Sequence, residues 1–223
     1  QKGNVMGKRG NSVRHWGMLA EIEEGRVNMK AVFDDKSGQE LDVSLVLMAP
    51  AEEMEEFRKH GVYVKVPIDQ CRARTGKEPI GVRWVDVNKG DKVHPEYRSR
   101  LVAKEIKVDK REDLFAATPP LEAEKMLFSW AVTEEIGCRK GHRKEGMKLD
   151  CIDVRRAYFH ADAQREVYVQ IPEDDYDEGM CGMLVKAMYD TRDAAQNWEV
   201  AYVKFMESAG FVKGIASPLV FHN

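Results

Sequence analysis

An α+β fold, in which a mainly antiparallel sheet carries helices on one face, is what this 223-residue sequence predicts. Three observations lead there. Residues 97 to 103 and 166 to 171 alternate side chains with the period of two that a half-buried strand requires. Two longer stretches, 118 to 137 and 194 to 209, space their apolar residues three and four apart, as a helix with one buried stripe does. The turn Asn88-Lys89-Gly90-Asp91 lies between strands at Ile80 to Val87 and Tyr97 to Ala103, and its Gly and Asn suit a hairpin, which is antiparallel.

Taken in order, residues 1 to 60 read as a linker-like N-terminal region. It holds a strand pair around Val27 to Phe33 and Leu41 to Leu47, joined by the turn signal Asp34-Asp35-Lys36-Ser37-Gly38. A short helix follows from Ala51 to Lys59, its acids early and its bases late, as the helix dipole favours. In the second hairpin strand, Tyr97, Ser99, Leu101 and Ala103 share one face and Arg98, Arg100, Val102 and Lys104 the other, which makes the latter a candidate phosphate rail. Thr118-Pro119-Pro120 opens a helix that Gly137 closes. Ala123, Leu127, Trp130, Ala131 and Glu134 follow its spacing, so Trp130 is expected in the core.

A charged loop from Arg139 to Lys148 leads into a hydrophobic strand from Leu149 that ends at Asp153. In the next strand Val167, Val169 and Ile171 oppose Glu166, Tyr168 and Gln170, and Pro172 ends it. The acidic run Glu173 to Glu178 lacks the spacing of a calcium loop and reads as solvated. Met183 to Met188 is a strand, and Ala194 to Ala209 a helix with Trp198, Ala201, Tyr202, Phe205 and Ala209 inward. Leu219 to Phe221 begins a further strand.

Composition narrows the function classes. An apolar content of 43% with no long apolar run suits a chain with a sizeable core and no membrane span. The chain begins with Gln1 and shows no secretion signal, which predicts an internal piece of a longer intracellular product. Cys71, Cys138, Cys151 and Cys181 lie far apart; Cys138 and His142 form a lone Cys-x-x-x-His with no second ligand pair, so reduced thiols are expected rather than zinc. The net charge of −3 argues against a generic nucleic-acid binder. Its distribution is uneven, however: residues 62 to 111 hold thirteen Lys or Arg against seven Asp or Glu, an excess of six.

From about Gly61 onward the chain resembles the reverse transcriptase segment of copia-type LTR retrotransposon Pol polyproteins. The segments that carry the likeness are Arg83-Trp84-Val85-Asp86, Tyr97 to Lys104, Leu149 to His160 with Asp153 and Tyr158, Glu166 to Pro172, Met188-Tyr189, Asn197-Trp198 and Gly210-Phe211. That resemblance implies a right-hand polymerase, with residues 61 to 223 forming the fingers and the first, incomplete part of the palm. It implies template-directed DNA synthesis on RNA or DNA with two Mg²⁺ or Mn²⁺ ions in the complete parent. Asp153, with the backbone carbonyl of Val154, becomes the metal ligand. Tyr158 becomes the steric gate against a ribose 2′-hydroxyl, Arg100 and Lys89 the triphosphate ligands, and Arg98 and Lys104 contacts to the template-primer. Implied partners are the dNTP, the nucleic acid, and protease, integrase and RNase H segments of one polyprotein, in the cytoplasm or a virus-like particle.

Two departures from the family pattern carry consequences. The block Gly-Leu-Lys-Gln-Ala-Pro-Arg reads here Asp190 to Gln196, so a tight-turn Gly is Asp190, and a Gln expected beside the nucleotide is Asp193. A carboxylate there adds repulsion of about 1 kcal/mol against a triphosphate. The Tyr-Val-Asp-Asp block, whose place lies beyond Asn223, is absent, and a chain without it is expected not to extend a primer. The alternatives from other classes are a non-catalytic nucleic-acid-binding or structural retroelement remnant, and an RRM-like module, against which stands the lack of a strand with exposed alternating aromatics beside Gly.

Overall fold

The computed structural model describes residues 14–15, 18–23, 26–46, 48–91, 93–105, 120–137, 140, 146–215 and 219–222. Helices and antiparallel strands are mixed, as expected, but among the described residues the strands form four small sheets instead of one. In chain order the elements are β1 (Arg14–His15), β2 (Met18–Glu23), β3 (Arg26–Phe33), β4 (Glu40–Leu41), α1 (Val43–Val46), α2 (Met48–His60), β5 (Tyr63–Pro67), α3 (Ile68–Thr75), β6 (Val82–Asn88), β7 (Tyr97–Ala103), α4 (Leu121–Val132), β8 (Tyr168–Val169), β9 (Met180–Leu184), α5 (Ala194–Ser208), β10 (Val212–Lys213) and β11 (Phe221–His222). Strands β1 to β4 form a meander, β6 and β7 a hairpin, β10 and β11 a short pair, and β9 lies between β5 and β8.

The expected strand from Leu41 to Leu47 is corrected. Only Glu40 and Leu41 pair with β3, because the Asp42 carboxylate accepts a hydrogen bond from the Ser44 N–H at 2.9 Å and turns the chain into α1. The main partner of β3 is β2. The Asp34 to Gly38 turn does form, and it ties this sheet to the β6–β7 hairpin. Asp35 Oδ1 meets Arg83 Nη1 at 3.0 Å and Asp35 Oδ2 accepts from the Asp86 N–H at 3.0 Å. Asp34 Oδ2 accepts from the Asn88 N–H at 2.7 Å. Burial pushes the Asp34 carboxyl up, but the N–H groups of Asn88, Ser37 and Lys36 outweigh it and hold the pKa at about 2.

The hairpin keeps the register its alternation predicts: Ser99 faces inward and its hydroxyl donates to buried Asp86, while Arg98 and Arg100 are exposed. The principal core joins both sides of this hairpin to the rest, bringing Trp84, Leu101 and Ala103 against Met54 and Phe57 of α2, Phe159, Val167, Val169, Leu184 and Met188. Val167 and Val169 face this core, yet Tyr168 between them is buried too, beside Cys71 and Cys181 under α3. Both faces of the segment are covered, so its alternation does not mark a solvent side, and only Tyr168 and Val169 form a ladder. Cys71, Cys151 and Cys181 are free thiols, and burial raises that of Cys181 to about 11. Cys138 and His142 lie outside the described residues.

Other corrections concern elements that lack a cover. Helix α4 starts at Leu121, and Thr118 and Pro119 lie outside the described residues. Trp130 is not core: it is 42% exposed, and α4 buries no residue. In α5, Trp198, Ala201 and Tyr202 are half-buried as expected, whereas Phe205 is 66% exposed. The strand placed at Met183 to Met188 is β9, shifted to Met180–Leu184 by pairing with Tyr63 to Pro67. In the C-terminal pair the strand begins only at Phe221.

A second tie crosses from the end of β7 to the start of α5. Arg165 meets Glu105 with both terminal guanidinium nitrogens, at 2.9 and 2.6 Å, and Asp193 at 2.9 Å. Asn197 donates to the other Asp193 oxygen at 3.1 Å, and the Arg192 N–H donates to Glu105 at 2.8 Å. Burial pushes the Asp193 carboxyl up, but Arg165 and Asn197 reverse this and hold it below the usual carboxylate range. Asp193 therefore contributes stability that is complete above about pH 4 and is lost as pH falls through its lower folded value. Arg165→Met leaves buried Asp193 and half-buried Glu105 without their cation, and should cost about 2 to 3 kcal/mol in urea unfolding at neutral pH, with the loss shrinking in acid. A cost under about 0.5 kcal/mol, or one independent of pH, contradicts this account.

Candidate functional site

A cleft of about 500 Å³ opens between α2, β7 and residues 153–157, at the end of the irregular segment 148–154. Ala49, Glu52 and Glu53 line it from α2, Glu96 to Arg100 from β7 and its approach, Asp153 to Ala157 from the third wall, and Tyr189 from beneath. Of the residues singled out in the sequence, Asp153, Val154, Arg98 and Arg100 are thus brought together. Lys89, Lys104 and Tyr158 are not among the lining residues; Lys89 sits at the hairpin tip, where its N–H donates to the Glu96 carbonyl, the N–H of Lys104 donates to the Gly81 carbonyl, and Tyr158 packs behind Tyr189.

Asp153 does not end a strand. Residues 148–154 carry no ladder, because no described segment lies alongside to accept and donate backbone hydrogen bonds. Ile152 is accordingly 86% exposed, where a palm strand would bury it. What fixes the segment is its far end. Arg156, with φ +49° and ψ 46°, turns left-handed and delivers its side chain to α2, meeting Glu53 at 3.0 Å, Glu52 at 3.5 Å and Glu56 at 3.8 Å. A short 3₁₀ turn, Ala157–His160, then buries Phe159 against Phe57, with ring centroids 4.8 Å apart.

Glu53 is only 3% exposed, and among the described residues its Oε1 has no hydrogen-bond partner. Burial raises its pKa, and the opposing pull of Arg156 and of Arg100 does not fully offset that. The floor is aromatic. Tyr189 packs edge-on against Tyr158 and Phe159, each at 5.3 Å, and the Arg100 guanidinium lies 5.4 Å from the Tyr189 ring centre. Burial and then the Glu53 charge raise the Tyr189 phenol, so it stays protonated. The Ala103 N–H donates to the Tyr189 carbonyl at 2.9 Å, which locks this floor to β7.

Asp190, in the place of a turn glycine, has φ +61°, the conformation glycine adopts freely and Asp tolerates. Asp193 is absent from the cleft lining, and its charge is taken up by Arg165, so the expected repulsion at a nucleotide meets a neutralised carboxylate. Sequence alone did not point to Glu53, Arg155, Arg156 or Tyr189 as cleft residues. Nothing in the order Arg155-Arg156 tells which arginine turns to α2.

Asp153 is exposed, and among the described residues it has no ion pair. Its oxygens and the adjacent carbonyl suit a hard divalent cation in kind. Among the described residues no group of three or more His, Cys, Asp or Glu is placed to hold a metal.

A family profile described as reverse transcriptase (RNA-dependent DNA polymerase) matches residues 68–221. The chain is also 26% identical over 184 residues to a retrovirus-related Pol polyprotein from transposon TNT 1-94 of Nicotiana tabacum. That match covers 79% of this chain and 13% of the polyprotein, so the chain spans about an eighth of its relative's length. No solved structure matches.

The pairing of α2 with Arg156 has a measurable consequence. Arg156→Ala should destabilise the chain by about 3 kcal/mol, because it strands the buried Glu53 carboxylate. Adding Glu53→Gln should recover part of that loss. If the double variant is no more stable than Arg156→Ala, Glu53 is not the group that suffers.

Proposed function

The chain belongs to the reverse transcriptase (RNA-dependent DNA polymerase) family, and from that premise we propose that its cleft is the nucleotide site of a retrotransposon polymerase. One observation supports this above the others: Asp153 and Arg100, from segments about fifty residues apart in sequence, line one cleft with an aromatic floor. A carboxylate and a guanidinium so placed match the two ends of a nucleotide's polyphosphate, the cation it carries and its free oxygens. Asp153, with the Val154 carbonyl, would hold Mg²⁺ or Mn²⁺. Such an ion polarises the phosphoryl oxygens and acidifies a primer hydroxyl.

The chain's own residues do the rest. Arg100, held on the rigid β7 strand and against Tyr189, binds the triphosphate through its planar fork. Tyr158, packed edge-on behind the cleft-lining Tyr189, would be the ring that excludes a ribose 2′-hydroxyl once a sugar is seated there. Arg98 and Lys104 extend the same strand as contacts to template-primer, and Lys89 adds positive charge at the hairpin tip. No side-chain nucleophile is required. In the parent polyprotein the reaction would be RNA- or DNA-templated DNA synthesis, in company with protease, integrase and RNase H segments. Among the described residues no helix is long and apolar enough to cross a membrane.

Two-ion phosphoryl transfer needs several converging carboxylates, and the 223 residues contain no Tyr-x-Asp-Asp block. This chain alone should therefore not extend a primer with either Mg²⁺ or Mn²⁺, and template-dependent incorporation in a primer-extension assay would overturn that. Residual affinity for nucleic acid should reside on β7. Replacing Arg98, Arg100 and Lys104 with Ala should reduce the slope of log affinity against log salt by about 1 for each phosphate-binding side chain removed. Ser99→Ala, on the inward face, should leave the slope unchanged. A triple variant with unaltered affinity and slope would reduce this face to solvated charge.

A further inference from the structure

The cleft holds four arginines, and the structure sorts them. Arg98 is paired with Glu96 at 3.0 Å. Arg156 is held by three glutamates of α2, one of them buried, and freeing it would strand that carboxylate at a cost no exposed phosphate contact offsets. Arg100 and Arg155 remain. Both are exposed, both line the cleft, and among the described residues neither meets a carboxylate within 4 Å. Arg155 lies between Asp153 and the Arg156 clamp, so its backbone is fixed from one side by the tie to α2.

Resting on the reading of this cleft as a nucleotide site, we propose that Arg155 is a second polyphosphate-binding residue, acting from the wall that carries Asp153 while Arg100 acts from β7. Two guanidinium groups on separate elements, neither in an ion pair among the described residues, can bind different phosphates of one chain, a task a single residue cannot perform. The adjacent Asp153 carboxylate makes the arrangement selective. It repels a bare polyanion and welcomes one that brings a divalent cation, so Arg155 is expected to act on the metal complex of the polyphosphate. Arg156 takes no part except as the anchor.

The test titrates inorganic triphosphate, with and without Mg²⁺, into the 223-residue chain by calorimetry. Arg155→Gln should weaken binding of the Mg²⁺ complex about tenfold, the effect of one charge-assisted contact in a solvent-exposed cleft, and Arg100→Gln should weaken it at least as much. Lys204→Gln, on the exposed side of α5, is the control and should bind as the unaltered chain does. Because Arg155 is exposed and unpaired among the described residues, the thermal midpoint of Arg155→Gln should not change. Unchanged affinity in Arg155→Gln beside a loss in Arg100→Gln overturns the proposal and leaves the cleft reading intact. Unchanged affinity in both variants, or no binding by the unaltered chain, overturns the cleft reading as well. An equal loss in Lys204→Gln reveals only general attraction and overturns the role of Arg155.

Discussion

A carboxylate buried as deeply as Glu53 obliges the chain to bring a cation to it, and that obligation organises the cleft. The cation is Arg156, which reaches α2 only because its own backbone turns left-handed. That conformation costs a residue with a β-carbon about 1 kcal/mol or more, and the charge pair with Glu53 offsets it. Three consequences follow in order along the chain. Asp153 and Arg155 are held at the cleft although residues 148–154 have no ladder; the 3₁₀ turn starts where Phe159 can enter the core; and Tyr158 meets Tyr189 edge-on. A segment that lacks sheet neighbours is thereby located by a side-chain tie at one end.

The Arg165 network plays the corresponding part on the other side. It joins Glu105, just past β7, to Asp193, just before α5, and the turn at Tyr189 and Asp190 lies between these anchors. Tyr189 is consequently carried by β7 through the Ala103 hydrogen bond and by α5 through Asp193. The two departures from the family pattern are compatible with this geometry for different reasons. Asp190 occupies a left-handed position that a short polar side chain tolerates, and Asp193 is a carboxylate whose cation stands 2.9 Å away. Seen in sequence, Asp193 suggests repulsion; seen in place, it is half of an ion pair.

How much was legible depended on whether an element's neighbours lie close in the chain. The β6–β7 hairpin is local, and its alternation gave both the register and the inward Ser99. The existence of α4 and α5 was legible for the same reason, since 3.6-residue spacing is local, and that of α2 from its charge order, but α4 ends at Val132, with Thr133 already extended, and not at Gly137. What covers a helix is not local, so Trp130 and Phe205, on good apolar stripes, turned out exposed. The Leu149 to Asp153 stretch has strand-like composition, yet a strand exists only with a partner, and none of the described segments provides one. The site was legible in the letters that match the family pattern, Asp153 and Arg100, and illegible where pairing decides: adjacent arginines at 155 and 156 look alike in sequence and have opposite fates.

Charge illustrates the same limit more generally. The chain is net negative, which by bulk composition argues against binding a polyanion. In the fold many of the acids are committed. Asp34 and Asp35 hold the hairpin to the N-terminal sheet, Glu52, Glu53 and Glu56 hold Arg156, and Glu105 and Asp193 hold Arg165. Asp175, in the acidic run read as solvated, accepts from the Tyr63 hydroxyl at 2.7 Å and lies within 3.6 Å of Lys65. Paired charges largely cancel beyond their own contact, because an ion pair's field falls off faster than that of either member. The residues that line the cleft hold four arginines against the four acids Glu52, Glu53, Glu96 and Asp153, and among the described residues Arg100 and Arg155 are the cations of that set that no carboxylate meets. A net count weighs every charge equally, whereas the fold removes some from consideration by geometry, so a chain that is acidic overall can present a cleft that is not.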